Sequence, residues 1–410
     1  MNQYDMFSTS DTSAVIEEKI EELSNLIREI KFLYASFSTH GNFQSASRTS
    51  SLHAELGEGQ KIKRDLFAEY SRYDLDAKEA QDHFNSLIEV PEGYFSESLF
   101  FGSGMAAVST VLAGANRFKV LCGSNLYFEN SNVTRDFLDE DRTTFFRENE
   151  KGSLIEGLTT NPDVVFVEPI GNNFELPTVN LKELFETKNT PKVIILDVTL
   201  FGLGFDYKKF LSESKDFVTF IFINSLQKLF QEGDSVTPAG AVTIVSKNMD
   251  DVKAVRSSIY NLRGMLGANI TQHSLQSFLK LDRKTNLDYA QACVENTKSI
   301  SSQIKESIDS DFGQVVYSEI PEGAPPVFYI NFNKKVGQQF IDKVINLAST
   351  RGIQITNGAS FGFRHTRLMC IGGDSTKVRV CPGIENEREV VTLTQIIQQA
   401  LNETEAESYL

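Results

Sequence analysis

The sequence predicts an α/β protein: a mostly parallel sheet wrapped by helices, followed by a smaller α+β domain. Three observations carry this. From about residue 74 to about residue 255, short apolar runs alternate with helix-length amphipathic segments. The runs Val193-Ile194-Ile195-Leu196 and Phe217-Val218-Thr219-Phe220-Ile221-Phe222-Ile223 are largely apolar rather than alternating, as strands buried on both faces are. Beyond about residue 255 the rhythm changes to long helical periods separated by a few strands.

In chain order, residues 12–35 read as one amphipathic helix. Ile16, Ile20, Leu23, Ile27 and Ile30 recur at steps of four and three, with Glu and Lys between them. This reads as an arm that packs on the body or on another subunit. Ser36 to about Gly59 is polar, suited to an arm draped over a neighbour or a mobile segment. The arm is placed at residues 1–60, a large domain at 61–255 and a C-terminal domain at 256–410. In the large domain Asp76–Leu87 is helical and Ser98–Phe101 is a short strand. Gly102-Ser103-Gly104 then turns into a helix over Met105–Ala113. Strands follow at Lys119–Cys122, Val164–Glu168, Val193–Asp197 and the run ending at Ile223, and Gly240–Val245 closes the series. In the second domain a helical region Ser274–Ile308 leads to the strand Val327–Phe332 and the helix Val336–Thr350. Strands near Leu368–Ile371 and Lys377–Cys381 and a helix Glu387–Leu401 complete it.

Bulk properties remove several classes of function. With 40 basic and 55 acidic residues the formal charge is −15, which argues against a nucleic-acid or anionic-membrane surface. No apolar run reaches the ~18 residues needed to span a bilayer, and the polar start MNQYDMFSTSD is no signal peptide. The 4 cysteines show no CxxC pairing and only 5 histidines are present, so no metal site is expected. Reduced thiols in a cytoplasmic enzyme fit best.

The residue that points to chemistry is Lys228. It follows the polar turn Asn224-Ser225-Leu226-Gln227 at the carboxyl end of a buried strand, the edge where open α/β sheets place ligands. A lysine there can form a Schiff base with a carbonyl cofactor, although most lysines are solvated surface charges. Gly102-Ser103-Gly104-Met105 follows a strand and opens a helix, so its backbone N–H groups suit a phosphate, although a glycine turn is common in any α/β fold. Asp197 ends the strand preceding the lysine strand. A carboxylate there can keep a pyridinium nitrogen protonated, or simply cap a turn.

Taken together, Tyr70-Ser71-Arg72, Ser103-Gly104-Met105-Ala106-Ala107, Leu126-Tyr127, Glu168-Pro169 with Asn172, Asp197-Val198-Thr199, Ser225-Leu226-Gln227-Lys228 and Arg379 before Gly383-Ile384-Glu385 resemble, in order and approximate spacing, the pyridoxal-phosphate enzymes of cysteine and methionine metabolism. That family includes cystathionine γ-synthase, cystathionine lyases and methionine γ-lyase. The resemblance runs from about Tyr70 to Ile396, and Leu262-Arg263-Gly264-Met265-Leu266-Gly267 matches the family's entry to its second domain. It implies an aspartate-aminotransferase-type (fold type I) architecture with a mostly parallel seven-stranded sheet.

It also implies roles. Lys228 would hold pyridoxal 5'-phosphate as a Schiff base, and Asp197 would pair with the ring nitrogen. Ser103, Gly104, Met105 and Ser225 would bind the phosphate. Tyr127 would stack on the ring and serve as a second proton carrier, and Asn172 would approach the phenolic oxygen. Arg379 would clamp the substrate carboxylate, with Ser360 in the loop beside it. Tyr70 and Arg72 would reach the phosphate of a neighbouring subunit, which implies a homo-oligomer, a dimer or tetramer with shared sites. The implied activity is γ- or β-elimination or replacement on an L-amino acid. Other chemistry on the same cofactor (transamination, decarboxylation or racemisation) and a non-catalytic protein keeping the fold are the alternatives.

The sequence departs from the family pattern around the substrate and phosphate. Gln227 stands where Thr is usual. Tyr127-Phe128-Glu129 replaces Tyr-Gly-Gly, and Asp74-Leu75-Asp76 replaces Asn-Pro-Thr. Leu229 to Ser235 replaces a Lys-Tyr…Gly-His-Ser-Asp loop. The segment Ala359-Ser360-Phe361-Gly362-Phe363-Arg364-His365-Thr366-Arg367 carries three basic-capable groups. They would either recognise an acidic distal group on the substrate or offset the acidic surface.

Overall fold

The computed structural model describes residues 77–408, except 216, 234–236, 272–273, 276–277, 280 and 374. The helix expected at 12–35, the polar stretch after it, and Tyr70 and Arg72 lie outside the described residues.

The first sheet is built from β1 (Phe95–Phe101), β2 (Val120–Gly123), β3 (Thr143–Phe146), β4 (Val164–Val167), β5 (Val193–Asp197), β6 (Thr219–Ser225) and β7 (Gly240–Ser246). Its 7 strands run in the order β1-β7-β6-β5-β4-β2-β3. Strands β2 to β6 are parallel to one another, and β7 is antiparallel to both β6 and β1. Strand β1 therefore points the same way as β6. The apolar continuity of β6 has a plain cause: successive residues feed two cores. Phe220 and Phe222 pack on one face of the sheet, Ile221 and Ile223 on the other.

Among the described residues nine helices longer than one turn follow in chain order: α1 (Lys78–Leu87), α2 (Gly104–Ala115), α3 (Phe128–Phe137), α4 (Ser153–Leu158), α5 (Tyr207–Ser212), α6 (Met249–Leu266), α7 (Arg283–Ser307), α8 (Gly337–Thr350) and α9 (Glu387–Ser408). Helix α2 lies on β6 and β7, and α6 packs on α2 and β1. The long helix expected from Ser274 is shorter, because Asp282 caps it: its carboxylate accepts from Thr285 N at 2.8 Å.

A second sheet, of β8 (Gly313–Val316), β9 (Phe328–Phe332), β10 (Thr356–Asn357), β11 (Arg367–Cys370) and β12 (Lys377–Cys381), has the order β10-β11-β12-β9-β8. Alternation along its strands assigns the faces. Phe328, Ile330, Leu368, Val378 and Val380 enter a core with Ile300 of α7, Phe340 of α8 and Ile396 of α9. Tyr329, Arg379 and Cys381 take the opposite face, where Tyr329 and Cys381 join the core of the first sheet. Among the described residues no helix is long and apolar enough to cross a membrane, and no cluster of His, Cys, Asp or Glu is arranged to hold a metal.

Candidate active site

The residues singled out in the sequence meet at one edge of the first sheet. Ser103 follows β1, Tyr127 follows β2, Glu168 and Asn172 follow β4, Asp197 ends β5, and Ser225 and Lys228 end and follow β6. Those strands share one direction, so this is their common carboxyl edge, where backbone ladders stop and side chains converge.

Lys228 occupies a built turn. Leu226 N donates to Ala239 O at 2.9 Å, and a single 3-10 turn, Leu229–Gln231, starts just after the lysine. The Gln231 amide braces this loop, donating to Leu226 O at 3.1 Å and Thr237 O at 2.6 Å while accepting from Thr237 N at 3.0 Å. From the second sheet's side, Gly362 at φ +78° presses on it: a Cβ there would lie 2.9 Å from Lys228 C and Leu229 N. Only glycine accepts both that backbone angle and that approach. The neighbouring Ser360 Oγ accepts from Lys228 Nζ at 2.7 Å, and Nζ stands 5.2 Å from the centre of the Phe361 ring. Burial, and then the charge of Arg379, hold the Lys228 amine down at about 8, below its ordinary 10.5.

Two carboxylates stand beside each other at the ends of adjacent parallel strands. Val167 pairs with Leu196, and one step further along the same register come Glu168 and Asp197. Like charges so placed repel, and Glu168 is buried while Asp197 is half-buried. Burial raises both carboxyls above the usual range, and the Asp197 charge adds to the effect at Glu168. Glu168 is tied down by Tyr127 N at 2.8 Å, Asn172 N at 3.1 Å and the Asn130 side-chain amide at 2.7 Å. Asp197 accepts from Thr199 N at 3.0 Å on one oxygen and from the same Asn130 amide at 2.9 Å on the other.

The glycine turn sits against the end of β6. Ser103 caps α2, its Oγ accepting from Ala106 N at 3.0 Å. A Cβ at Gly104 would fall 2.8 Å from Ser225 Cβ, and one at Gly240 would fall 2.3 Å from Ser103 O. The turn, the serine and the first residue of β7 thus close on one another, with Met105 and Ser225 half-buried beside them. Ser225 N donates to Thr199 Oγ1 at 2.9 Å, which links this corner to the turn that holds Asp197.

Tyr127 opens α3, half-buried, with its ring 4.7 Å from that of Phe128; burial, then the Glu129 charge, pushes its hydroxyl pKa up. The turn before it is shaped by Glu148, which accepts from Asn125 N at 2.8 Å and from Ser124 Oγ at 3.2 Å. Asn172 donates its backbone N–H to Glu168, while its side-chain Oδ1 is buried without a hydrogen-bond partner among the described residues. Arg379, on β12, is 5% exposed and lies over Tyr329 and Phe361 at 5.8 and 5.6 Å. Its Nε and Nη2 have no hydrogen-bond partner among the described residues, an open invitation to a carboxylate. Of the three basic-capable groups in the segment 359–367, Arg364 and His365 are exposed, whereas Arg367 is half-buried with its guanidinium 4.2 Å from the Phe363 ring centre.

Sequence reasoning missed Asn130 and the hub role of Glu168. Helix α3 buries only Asn130 and Thr134, so no apolar periodicity marks it as a helix facing the core. The available signal was two acidic residues ending adjacent predicted strands, which demands a donor between them.

No family model and no curated protein sequence matches the chain. Solved structures do. A cystathionine gamma synthase from Xanthomonas oryzae pv. oryzae, crystallised with cystathionine, superposes with a TM-score of 0.63 at 14% identity, over 82% of this chain and 88% of the other. A methionine gamma lyase from Micromonospora echinospora gives a TM-score of 0.63 at 16% identity, over 81% and 87%. A putative O-acetylhomoserine (thiol)-lyase from Campylobacter jejuni, carrying N'-pyridoxyl-lysine-5'-monophosphate, gives 0.62 at 15% identity, over 84% and 90%. The chain has their fold. It is the fold type I architecture of pyridoxal-phosphate enzymes, reached here with a sequence far removed from all three.

Proposed function

We propose that this chain is a divergent pyridoxal-phosphate enzyme of the cysteine and methionine group, eliminating or replacing a γ- or β-substituent of an L-amino acid. The observation that carries the reading is the joint presence, at one sheet edge, of an amine held at about 8 and the Glu168–Asp197 carboxylate pair, to which no cation is bonded among the described residues. The donor set fits the cofactor. Asp197 offers its charge to a ring N–H, the Gly104–Ser225 corner is a cradle that a Cβ would fill, and Lys228 supplies the amine.

Pyridoxal phosphate, when bound, supplies a carbonyl that joins amines and a ring that accepts the electron pair released at Cα. The rest falls to the chain. Lys228 would anchor the cofactor and, as a free amine, would take the Cα proton; a pKa near 8 leaves a useful fraction of free base at neutral pH. Asp197 would keep the ring nitrogen protonated, and Asn172 would face the phenolic oxygen. The N–H groups of the Ser103–Met105 turn and the Ser225 hydroxyl take the phosphate. Tyr127 would cover the ring face and carry a proton near the departing group. Arg379 receives the substrate carboxylate in a bidentate grip and so fixes which Cα bond is broken. Ser360, through Lys228, holds the amine in place until the substrate arrives. Tyr70 and Arg72 would complete the phosphate site of a second copy, so a homo-oligomer is part of the reading.

The test is spectroscopic and then chemical. The purified chain mixed with pyridoxal phosphate should show a band near about 420 nm that Lys228→Ala abolishes. It should then release ammonia and a keto acid, or form a replacement product, from a panel of O-acyl-homoserines, cystathionine, methionine and γ-halogenated amino acids. Keto acid formed while nitrogen stays on the cofactor would assign transamination instead. No band, unchanged by the substitution, would reject the cofactor.

A further inference from the structure

Asn130 has no part in the reading above, yet it is the only side chain bonded to both carboxylates among the described residues. It is fully buried, on the first turn of α3, just after the ring-covering Tyr127. A primary amide has two N–H bonds on one nitrogen, and here one goes to Glu168 at 2.7 Å and the other to Asp197 at 2.9 Å. Both donors are therefore committed to anions, while Oδ1 is left without a hydrogen-bond partner among the described residues. An orphaned buried carbonyl is unfavourable, so the amide is oriented by the carboxylates and not by its own satisfaction.

The consequence reaches three predicted cofactor contacts. Glu168 also receives the backbone N–H of Tyr127 and of Asn172. The ring-covering residue, the residue for the phenolic oxygen and the residue for the ring nitrogen thus hang on one hydrogen-bonded unit, Glu168–Asn130–Asp197. With Thr199 N on one Asp197 oxygen and Asn130 on the other, the carboxylate cannot rotate.

We propose that Asn130 is a positioning residue for the ring nitrogen, keeping two repelling carboxylates side by side and fixing the orientation in which Asp197 meets the cofactor. The inference rests on the proposed cofactor. Without Asn130, Asp197 turns or takes a proton, the ring nitrogen loses its proton, and the positive charge opposing a proton at the Lys228 nitrogen disappears.

The experiment is a pH titration of the visible band of the cofactor-loaded protein, with cofactor affinity measured alongside, in wild type, Asn130→Leu and Asn130→Asp. The groups around the Lys228 nitrogen, namely Arg379, Cys381, Glu129 and Arg367, are the same in all three. For Asn130→Leu the midpoint should move up by about half a unit or more, and the dissociation constant for pyridoxal phosphate should rise about tenfold. Asn130→Asp, matched in shape, should lose more affinity relative to wild type at pH 8 than at pH 6, because the third carboxylate takes up a proton on acidification. Folded variants (by far-UV circular dichroism) with wild-type midpoint and affinity would overturn the proposal, as would loss of binding only through failure to fold. Wild type that binds no pyridoxal phosphate would instead reject the functional reading itself.

Discussion

Ser360 and Lys228 are 132 residues apart in sequence and joined by a 2.7 Å hydrogen bond, the amine donating to the hydroxyl. The bond ties the turn after β6 to the loop before β11, so the reactive nitrogen is held by both sheets.

The first prediction concerns pH. Because Lys228 reacts as the free base, capture of pyridoxal phosphate by the cofactor-free protein should rise with pH and reach half its maximum near 8. Arg379→Met removes a positive charge that depresses this amine, so the midpoint should move towards 10.5 by about half a unit or more. Stopped-flow absorbance across pH 6–10 measures both; an unchanged midpoint in the variant would show that Arg379 exerts no field at Lys228.

Stability carries the opposite side of that depression. The folded pKa of Lys228 lies below its unfolded value, so below about 8 the charged, buried amine weighs against the folded state. Between about 8 and 10.5 the unfolded chain binds more protons, and the penalty is progressively relieved. Lys228→Met should therefore stabilise the cofactor-free protein at pH 7 by about 1–2 kcal/mol, with the gain shrinking towards pH 10. Urea denaturation at the two pH values tests this.

Gly104 leaves no room for a side chain against Ser225. Gly104→Val should raise the dissociation constant for pyridoxal phosphate and for inorganic phosphate about tenfold or more, with a stability loss of about 1–3 kcal/mol. Isothermal titration would reveal a tolerant cradle if phosphate affinity stayed the same.

Glu385 is buried and takes the Thr366 hydroxyl at 2.6 Å and Gly383 N at 2.9 Å, besides Thr366 N. It thereby fixes the loop that carries Ser360 to Arg367 against the end of β12. Glu385→Ala strands buried donors and should cost about 2–4 kcal/mol, seen as a lower melting temperature, with a higher KM for substrate.

Much of the fold is legible because strands buried on both faces must be apolar throughout, as β5 and β6 are. The misses have physical causes. Helix α3 turns its buried side to two carboxylates, so Asn130 and Thr134 stand where an amphipathic helix would show Leu or Ile. Strand β3 is the outermost of its sheet and leaves Phe145 exposed, which blurs its pattern. In the site, residues that need a fixed position in the chain are visible: a lysine after a strand, a glycine turn before a helix, an arginine on a strand. Glu168 and Glu385 stand in local motifs, but their partners, and the whole role of Asn130, depend on register between distant segments, which those motifs do not record.

The press of Gly362 onto the Lys228 turn joins segments that leave the ribosome far apart in time. A growing chain that has emerged through β7 already owns its lysine, its Asp197 and its glycine turn. The serine that holds the amine and the arginine that lowers its pKa come more than a hundred residues later. Until β12 pairs with β9 and β11, that lysine lacks both the Ser360 hydroxyl and the Arg379 charge, so the amine acquires its full depression only when the second sheet is in place.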